Sequence, residues 1–188
     1  MSHLQLRRLG AAVLTTAAVA AVATPAAQAA PVKLAGATTT LALSDAAQAT
    51  LTQAGVTVTP VAPATSPSAG SYSFPVVRGK LAVKRRLGFA IHKGGLTLST
   101  SAKQVTVRRL IAFGGRRPLV TARVGRAQVA LLRLTQVKLG GDALLSGKAS
   151  LTQAGARLLG RFLATDSFNA GMPVGTVTVT AAAPAASA

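Results

Sequence analysis

Cysteine is absent from this 188-residue sequence. Its absence excludes disulfides, thiolate metal ligands, a cysteine nucleophile and a lipid-modified bacterial N-terminus. Glutamate is absent too, and the only acids are Asp45, Asp142 and Asp166. Three scattered acids and two histidines provide poorly for a carboxylate pair or a metal site. There is no tryptophan, one tyrosine and five phenylalanines, so a core must be built from Val, Leu, Ile and Ala. No Gly-x-Ser-x-Gly elbow and no G-x-x-x-x-G-K-[ST] loop occurs. Those two absences remove the usual placements of a serine nucleophile and of a nucleotide phosphate. The sequence reads as non-catalytic.

Cations, by contrast, are plentiful: 21 Lys and Arg against 3 acids give a formal charge of +18. From Arg78 to Lys138 there is no acid at all. A field of one sign attracts polyanions, whether nucleic acid, anionic wall polymer, anionic lipid or a carboxylate-bearing small molecule. The basic groups are Lys84-Arg85-Arg86, Arg108-Arg109 and Arg116-Arg117. Neighbours in a strand point to opposite faces, so each group places at least one cation outward. They read either as a polyanion-binding surface or as solvated charge. Readers of single-stranded nucleic acid interleave aromatics for base stacking. Here only Phe89 and Phe113 lie in the basic run, and both are expected in the core, so specific nucleic-acid recognition is not expected.

Residues 1–29 have the form of a secretory signal peptide: Arg7-Arg8, an apolar run from Leu9 to Ala23, and Ala27-Gln28-Ala29 before a cut at Ala30. The apolar run is too short and too rich in Ala and Thr for a spanning helix. Residues 30–180 are expected to form one domain and 181–188 a disordered tail. Val32 to Leu43 reads as an extended lead-in. Residues 44–54 predict a short helix, with Ser44 as N-cap, Asp45 at the positive end and Gly55 as the stop. Val56 to Thr59 alternates as a strand ended by Pro60, and residues 60–73 read as a loop.

The β body runs from Phe74 to Leu139. At its centre Leu87, Phe89 and Ile91 alternate with Gly88, Ala90 and His92, and a turn at Gly94-Gly95 leads to Leu96 and Leu98. Val105 to Phe113, Val120 to Val124 and Val129 to Leu134 are further strands, separated by glycine turns. Residues 151–163 predict a second helix with Leu151, Ala154, Leu158, Leu159 and Phe162 on one face. Thr176 to Thr180 closes the chain as a strand. The fold class is mainly β, an antiparallel sandwich or barrel-like sheet with two short helices.

Gly88-Phe89-Ala90-Ile91-His92-Lys93-Gly94-Gly95-Leu96 follows a G-(apolar)-x-(apolar)-H-x-G-x-L core. Leu151-Thr152-Gln153-Ala154-Gly155-Ala156 with Phe162 follows an L-T-x-x-G-A … F helix, and Ala170-Gly171-Met172-Pro173 resembles an A-G-x-P/D-P turn. Together, over about Phe74 to Val179, they resemble the HtaA domain, the haem-transport-associated module of secreted and wall-bound actinobacterial proteins. The resemblance implies a β-rich domain outside the cell, with haem as cofactor. It also implies an iron-ligating tyrosine near the N-terminus, supported by the core histidine. Only His92 carries over by motif, because the family's N-terminal tyrosine segment has no counterpart here.

Two residues are therefore candidates for cofactor binding. His92 is either a haem contact or a histidine that hydrogen-bonds backbone at the Gly94-Gly95 bend. Tyr72, the one tyrosine, is either a phenolate ligand or an amphipathic rim residue. The expected partner is haem, or else anionic cell-wall polymers held by the basic surface.

Overall fold

The computed structural model of the chain describes residues 30–83 and 87–181. The expected leader, 1–29, all but the first residue of the expected tail, 181–188, and the basic group Lys84-Arg85-Arg86 lie outside the described residues. In chain order the elements are β1 (Val32–Lys33), β2 (Thr38–Leu43), α1 (Asp45–Gln53), β3 (Thr57–Val61), β4 (Thr65–Ser68), β5 (Ser71–Ala82) and β6 (Leu87–His92). There follow β7 (Gly95–Ser99), β8 (Gln104–Phe113), β9 (Leu119–Val124), β10 (Ala127–Leu139), β11 (Leu145–Leu151), α2 (Gln153–Leu163) and β12 (Pro173–Thr180).

The expectation of a barrel-like antiparallel sheet is met. Eight strands close a ring in the order β5, β2, β12, β11, β10, β9, β8, β6 and back to β5. Closure follows from β5 and β8, which are long enough to change partners along their length. The first half of β5 pairs β2 and β4, and its second half pairs β1 and β6. Likewise β8 pairs β7 through Arg108 and β6 from Ile111.

This geometry corrects the expected turn at Gly94-Gly95. Both β6 and β7 run antiparallel to β8, so they are one strand with a kink, and the chain does not reverse there. Gly94 has φ 83°, and a Cβ on it would sit 2.6 Å from the Ala64 backbone nitrogen and 2.7 Å from the Val61 carbonyl. Only glycine lets β3 approach so closely while the strand swaps its neighbour from β5 to β3.

Other expectations shift by a few residues. Pro60 lies inside β3, which tolerates it as an edge strand paired only with β7. The stretch read as a loop at 60–73 contains β4 and the start of β5. The lead-in holds β2, a full member of the ring, and β11 was not foreseen. Helix α1 is as expected, with the Ser44 hydroxyl accepting from the Ala47 amide at 3.2 Å.

Helix α2 starts at Gln153 because Thr152 is its cap, its hydroxyl accepting from the Gly155 amide at 3.0 Å. Its buried face is Gly155, Ala156, Leu159 and Leu163, whereas Ala154 and Phe162 are exposed. Gly155 sets that rotation: a Cβ there would lie 2.6 Å from the Leu131 carbonyl. The bare glycine lets the helix lie directly on β10.

The core divides in two. A large cluster joins α2 to β5, β7, β8, β9, β10 and β11 around Val107, Ala122, Val124 and Leu159. A small one, of Leu34, Ala37, Val76, Leu81, Ala90 and Val179, lines the other end of the barrel.

Candidate functional site

His92 ends β6 and points into the barrel, 5% exposed, opposite Val76 of β5. Its Nδ1 lies 3.0 Å from the Leu110 carbonyl oxygen. A carbonyl only accepts, so Nδ1 carries the proton and donates. Nε2 is then the acceptor of the neutral ring, and the Thr39 hydroxyl donates to it at 2.8 Å. Phe74 meets the imidazole edge-on, with centroids 6.4 Å apart at 78°. Burial pushes the His92 pKa below its ordinary value, against a smaller upward pull from the Leu110 carbonyl. The neutral ring ties β2, β6 and β8 together across the lumen.

The carbonyl at Leu110 has a local origin. The β8–β9 ladder skips from Arg108 to Ile111, and Arg109 has φ 50°. This bulge takes Leu110 out of the ladder register, leaving its carbonyl for the imidazole. The bulge also puts Arg108 and Arg109 both at the surface, where alternation alone required only one of them outside. Thr39 was missed because a Thr-rich lead-in gave it no apolar pattern. The signal was there: Thr39 and Leu41 alternate as the buried residues of β2.

Beside the Thr39–His92 pair lies a cavity of about 400 Å³ inside the ring. Its wall is mostly apolar, from Leu34, Phe74, Leu110, Val120, Leu132 and Val177 among others. Small inward residues make the room, namely Gly88, Ala90 and Ala112 of β6 and β8. Phe113, Gly114, Gly115 and Arg116 border its mouth, where Phe113 and Arg116 are exposed. An eight-stranded barrel is just wide enough either to fill with side chains or to hold one small ligand.

Tyr72 is elsewhere. It sits in β5, 7% exposed, opposite Leu41 of β2, and its hydroxyl donates to the Val58 carbonyl at 3.4 Å. It borders a separate void of about 90 Å³ together with Leu43, Leu96 and Met172. Burial raises its pKa, which keeps the phenol protonated. Tyr72 is thus a core residue and not a rim residue, and the fold does not bring it into the His92 cavity.

Phe89 and Phe113 also depart from expectation. Ala90 and His92 point inward, so Phe89 faces out, and its register partner Phe113 is 45% exposed. Neither belongs to the core clusters. Arg116 and Arg117 are exposed in the turn after β8, while Lys93, Arg108 and Arg109 rim a shallow outer depression. Arg108 is also the register partner of Arg123, which the sequence had not singled out.

Haem iron needs an axial donor such as histidine, thiolate, methionine or tyrosine. Around the cavity only His92 is of that kind, and both of its nitrogens are already engaged. The cavity presents no free axial ligand, so the side chains as arranged do not fit iron-ligated haem. Among the described residues no group of three or more His, Cys, Asp or Glu could hold a metal ion. No helix among them is long and apolar enough to cross a membrane.

No protein-family profile and no curated protein matches the sequence. Solved structures do match. The C-terminal domain of HtaA from Corynebacterium glutamicum aligns with a TM-score of 0.59 at 12% identity, over 78% of this chain and 96% of that domain. The N-terminal domain of the same protein aligns with a TM-score of 0.56 at 15% identity, over 78% and 98%. The closed barrel with its added strands and the two helices among the described residues therefore has the HtaA-domain fold, at 12% and 15% identity to the two domains.

Proposed function

We propose that this protein is a secreted, non-catalytic binding module that holds one largely apolar small molecule in the barrel cavity. The observation that carries this is the apolar cavity of about 400 Å³ beside a buried but fully paired imidazole. That volume is within the range, roughly 300–1,000 Å³, of pockets that take drug-sized ligands. The Thr39–His92 pair supplies a polar contact on an otherwise greasy wall. The leader-like residues 1–29 support export. The HtaA-like fold and the sequence resemblance make haem the first ligand to test, with retention by the apolar wall and no bond from Tyr72 to iron.

The non-catalytic reading has its own support. A hydroxyl hydrogen-bonded to imidazole is one part of an activated nucleophile. Here the hydroxyl is the buried Thr39, and a carbonyl stands where a triad has its carboxylate. A haemin titration followed by absorbance tests the proposal, beside an Ala112→Phe variant that fills the cavity. Saturation at one equivalent, lost in the variant, is the expected result. Equal binding by the filled variant would place the ligand elsewhere.

The basic surface supports a second reading, an anionic partner outside the barrel. Arg108 and Arg123 are cross-strand neighbours of like charge, an arrangement that costs stability unless an anion lies over it. Such binding should fall steeply as salt is raised, whereas retention in an apolar cavity should not.

A further inference from the structure

The outer face of the barrel beside the cavity mouth carries apolar side chains that the core leaves out. Five large apolar residues are exposed among the described residues, and four of them, Val77, Val83, Leu87 and Phe113, lie on or next to β5, β6 and β8. Alternation accounts for the face. With Ala90 and His92 inward, Leu87, Phe89 and Ile91 point out. Register partners share a face. Phe89 lies between Lys80 and Phe113, and Ile91 between Arg78 and Ile111. The result is an apolar stripe two strands wide with a cationic margin. Arg78 and Lys80 run along β5, Arg116 and Arg117 stand beyond the Phe113 end, and Lys93 and Arg109 stand at the other.

We propose that this stripe docks the protein on an anionic lipid bilayer. The proposal rests on the anionic-partner reading above and names the partner. A soluble polyanion is held by charge alone and gives exposed Leu87 and Phe113 nothing to contact. A bilayer interface accepts apolar side chains between headgroups while its surface potential holds the surrounding Lys and Arg. Charge complementarity is one-sided here, because no acid occurs from Arg78 to Lys138. Solitary apolar residues on a surface need no explanation, but a contiguous patch rimmed by charge marks an interaction site. The placement also has a use. Phe113, Gly114, Gly115 and Arg116 border the cavity mouth, so docking sets that mouth against the lipid, where an apolar ligand can enter without crossing water.

Vesicle sedimentation tests this, with vesicles of 3:1 phosphatidylcholine:phosphatidylglycerol, vesicles of phosphatidylcholine alone, and long-chain polyphosphate as the soluble polyanion. The chain is expected to bind the anionic vesicles at least about tenfold more tightly than the neutral ones. Leu87→Gln with Val83→Gln should lower vesicle binding about tenfold and leave polyphosphate binding unchanged, because both residues are exposed and uncharged. Arg116→Gln and Arg117→Gln should each lower vesicle binding about fivefold. Vesicle binding that ignores the Leu87 and Val83 changes would overturn the docking face and leave a polymer as the partner. Binding to neither vesicles nor polyphosphate would overturn the anionic-partner reading as well.

Discussion

The two ends of this barrel are built from the same ring of strands and end up as different materials. At one end α2 lies across β8 and β10, and twenty-two buried residues form a single packed cluster. At the other, the core cluster has only six buried residues, and four of them, Leu34, Leu81, Ala90 and Val179, share with members of the large cluster the wall of an opening of about 400 Å³. The difference is one of side-chain volume. The packed end supplies Leu98, Leu131, Leu151 and Leu159, and a helix whose Gly155 lets it lie close. The open end supplies Gly88, Ala90 and Ala112 on two neighbouring strands, with no helix to cap it. A barrel that could have filled itself with branched side chains has kept small ones beside its only buried imidazole, among the described residues. A site is marked as much by the missing volume as by the histidine.

That contrast can be broken by substitution. Leu159→Ala at the packed end is expected to cost about 3–4 kcal/mol, read as an urea midpoint shift without a change in slope. Similar in size is His92→Ala, at about 3 kcal/mol, because it leaves the Leu110 carbonyl and the Thr39 hydroxyl without partners in the interior. If His92→Ala proves as stable as the parent, the cross-tie is not structural. Adding volume should sort the ends further. Ala122→Leu, at 0% exposure, is expected to lose about 2 kcal/mol by overpacking, whereas Ala112→Leu, facing the cavity, should change stability by under about 0.5 kcal/mol. Equal costs for the two additions would mean that the cavity is already closed in solution. Thr39→Val, which keeps shape and removes the hydroxyl, should cost about 1 kcal/mol.

The smallest effect is on pH dependence. The folded state holds His92 below its ordinary pKa of about 6.5, so the unfolded chain takes up the proton first on acidification. Stability should therefore decline as pH falls through about 6.5, and this contribution should level off below the depressed folded value. It is absent at higher pH. Thermal melts of the parent and of His92→Gln across that window should differ in slope, the variant lacking this component. Identical slopes would mean that His92 takes up its proton as readily in the fold as in the unfolded chain.

Where the chain alternates bulky and small residues, its strands could be read directly. Val105 to Phe113 and Val120 to Val124 fall within β8 and β9. Where inward positions are filled by small or hydroxylated residues, the pattern disappears. Thr39 in β2 and Gly147 and Ala149 in β11 are buried but carry little hydropathy, so β2 shows in the sequence only as part of an extended lead-in and β11 does not show at all. Cα pairings also defeat local reading. Gly94-Gly95 signals a break in direction, but only the shared partner β8 shows that the strand continues. Of the site, His92 was legible from its glycine-flanked motif. Its partners were not, because Thr39 is 53 positions away in sequence and the Leu110 carbonyl is freed by a bulge with no glycine to announce it. Tyr72 was singled out for being the one tyrosine, and scarcity proved a poor guide to placement: the alternation of β5 carries it into the core beside Phe74.

The measurement that bears most directly on the central claim compares haemin with metal-free protoporphyrin in side-by-side titrations of the purified chain. A cavity that grips an apolar ligand with no bond to iron should bind both at one equivalent and within about threefold of each other, since only a coordinate bond would separate them. Haemin binding at least a hundredfold tighter, with an iron–phenolate absorption band lost in Tyr72→Phe, would contradict the account and place Tyr72 on the metal.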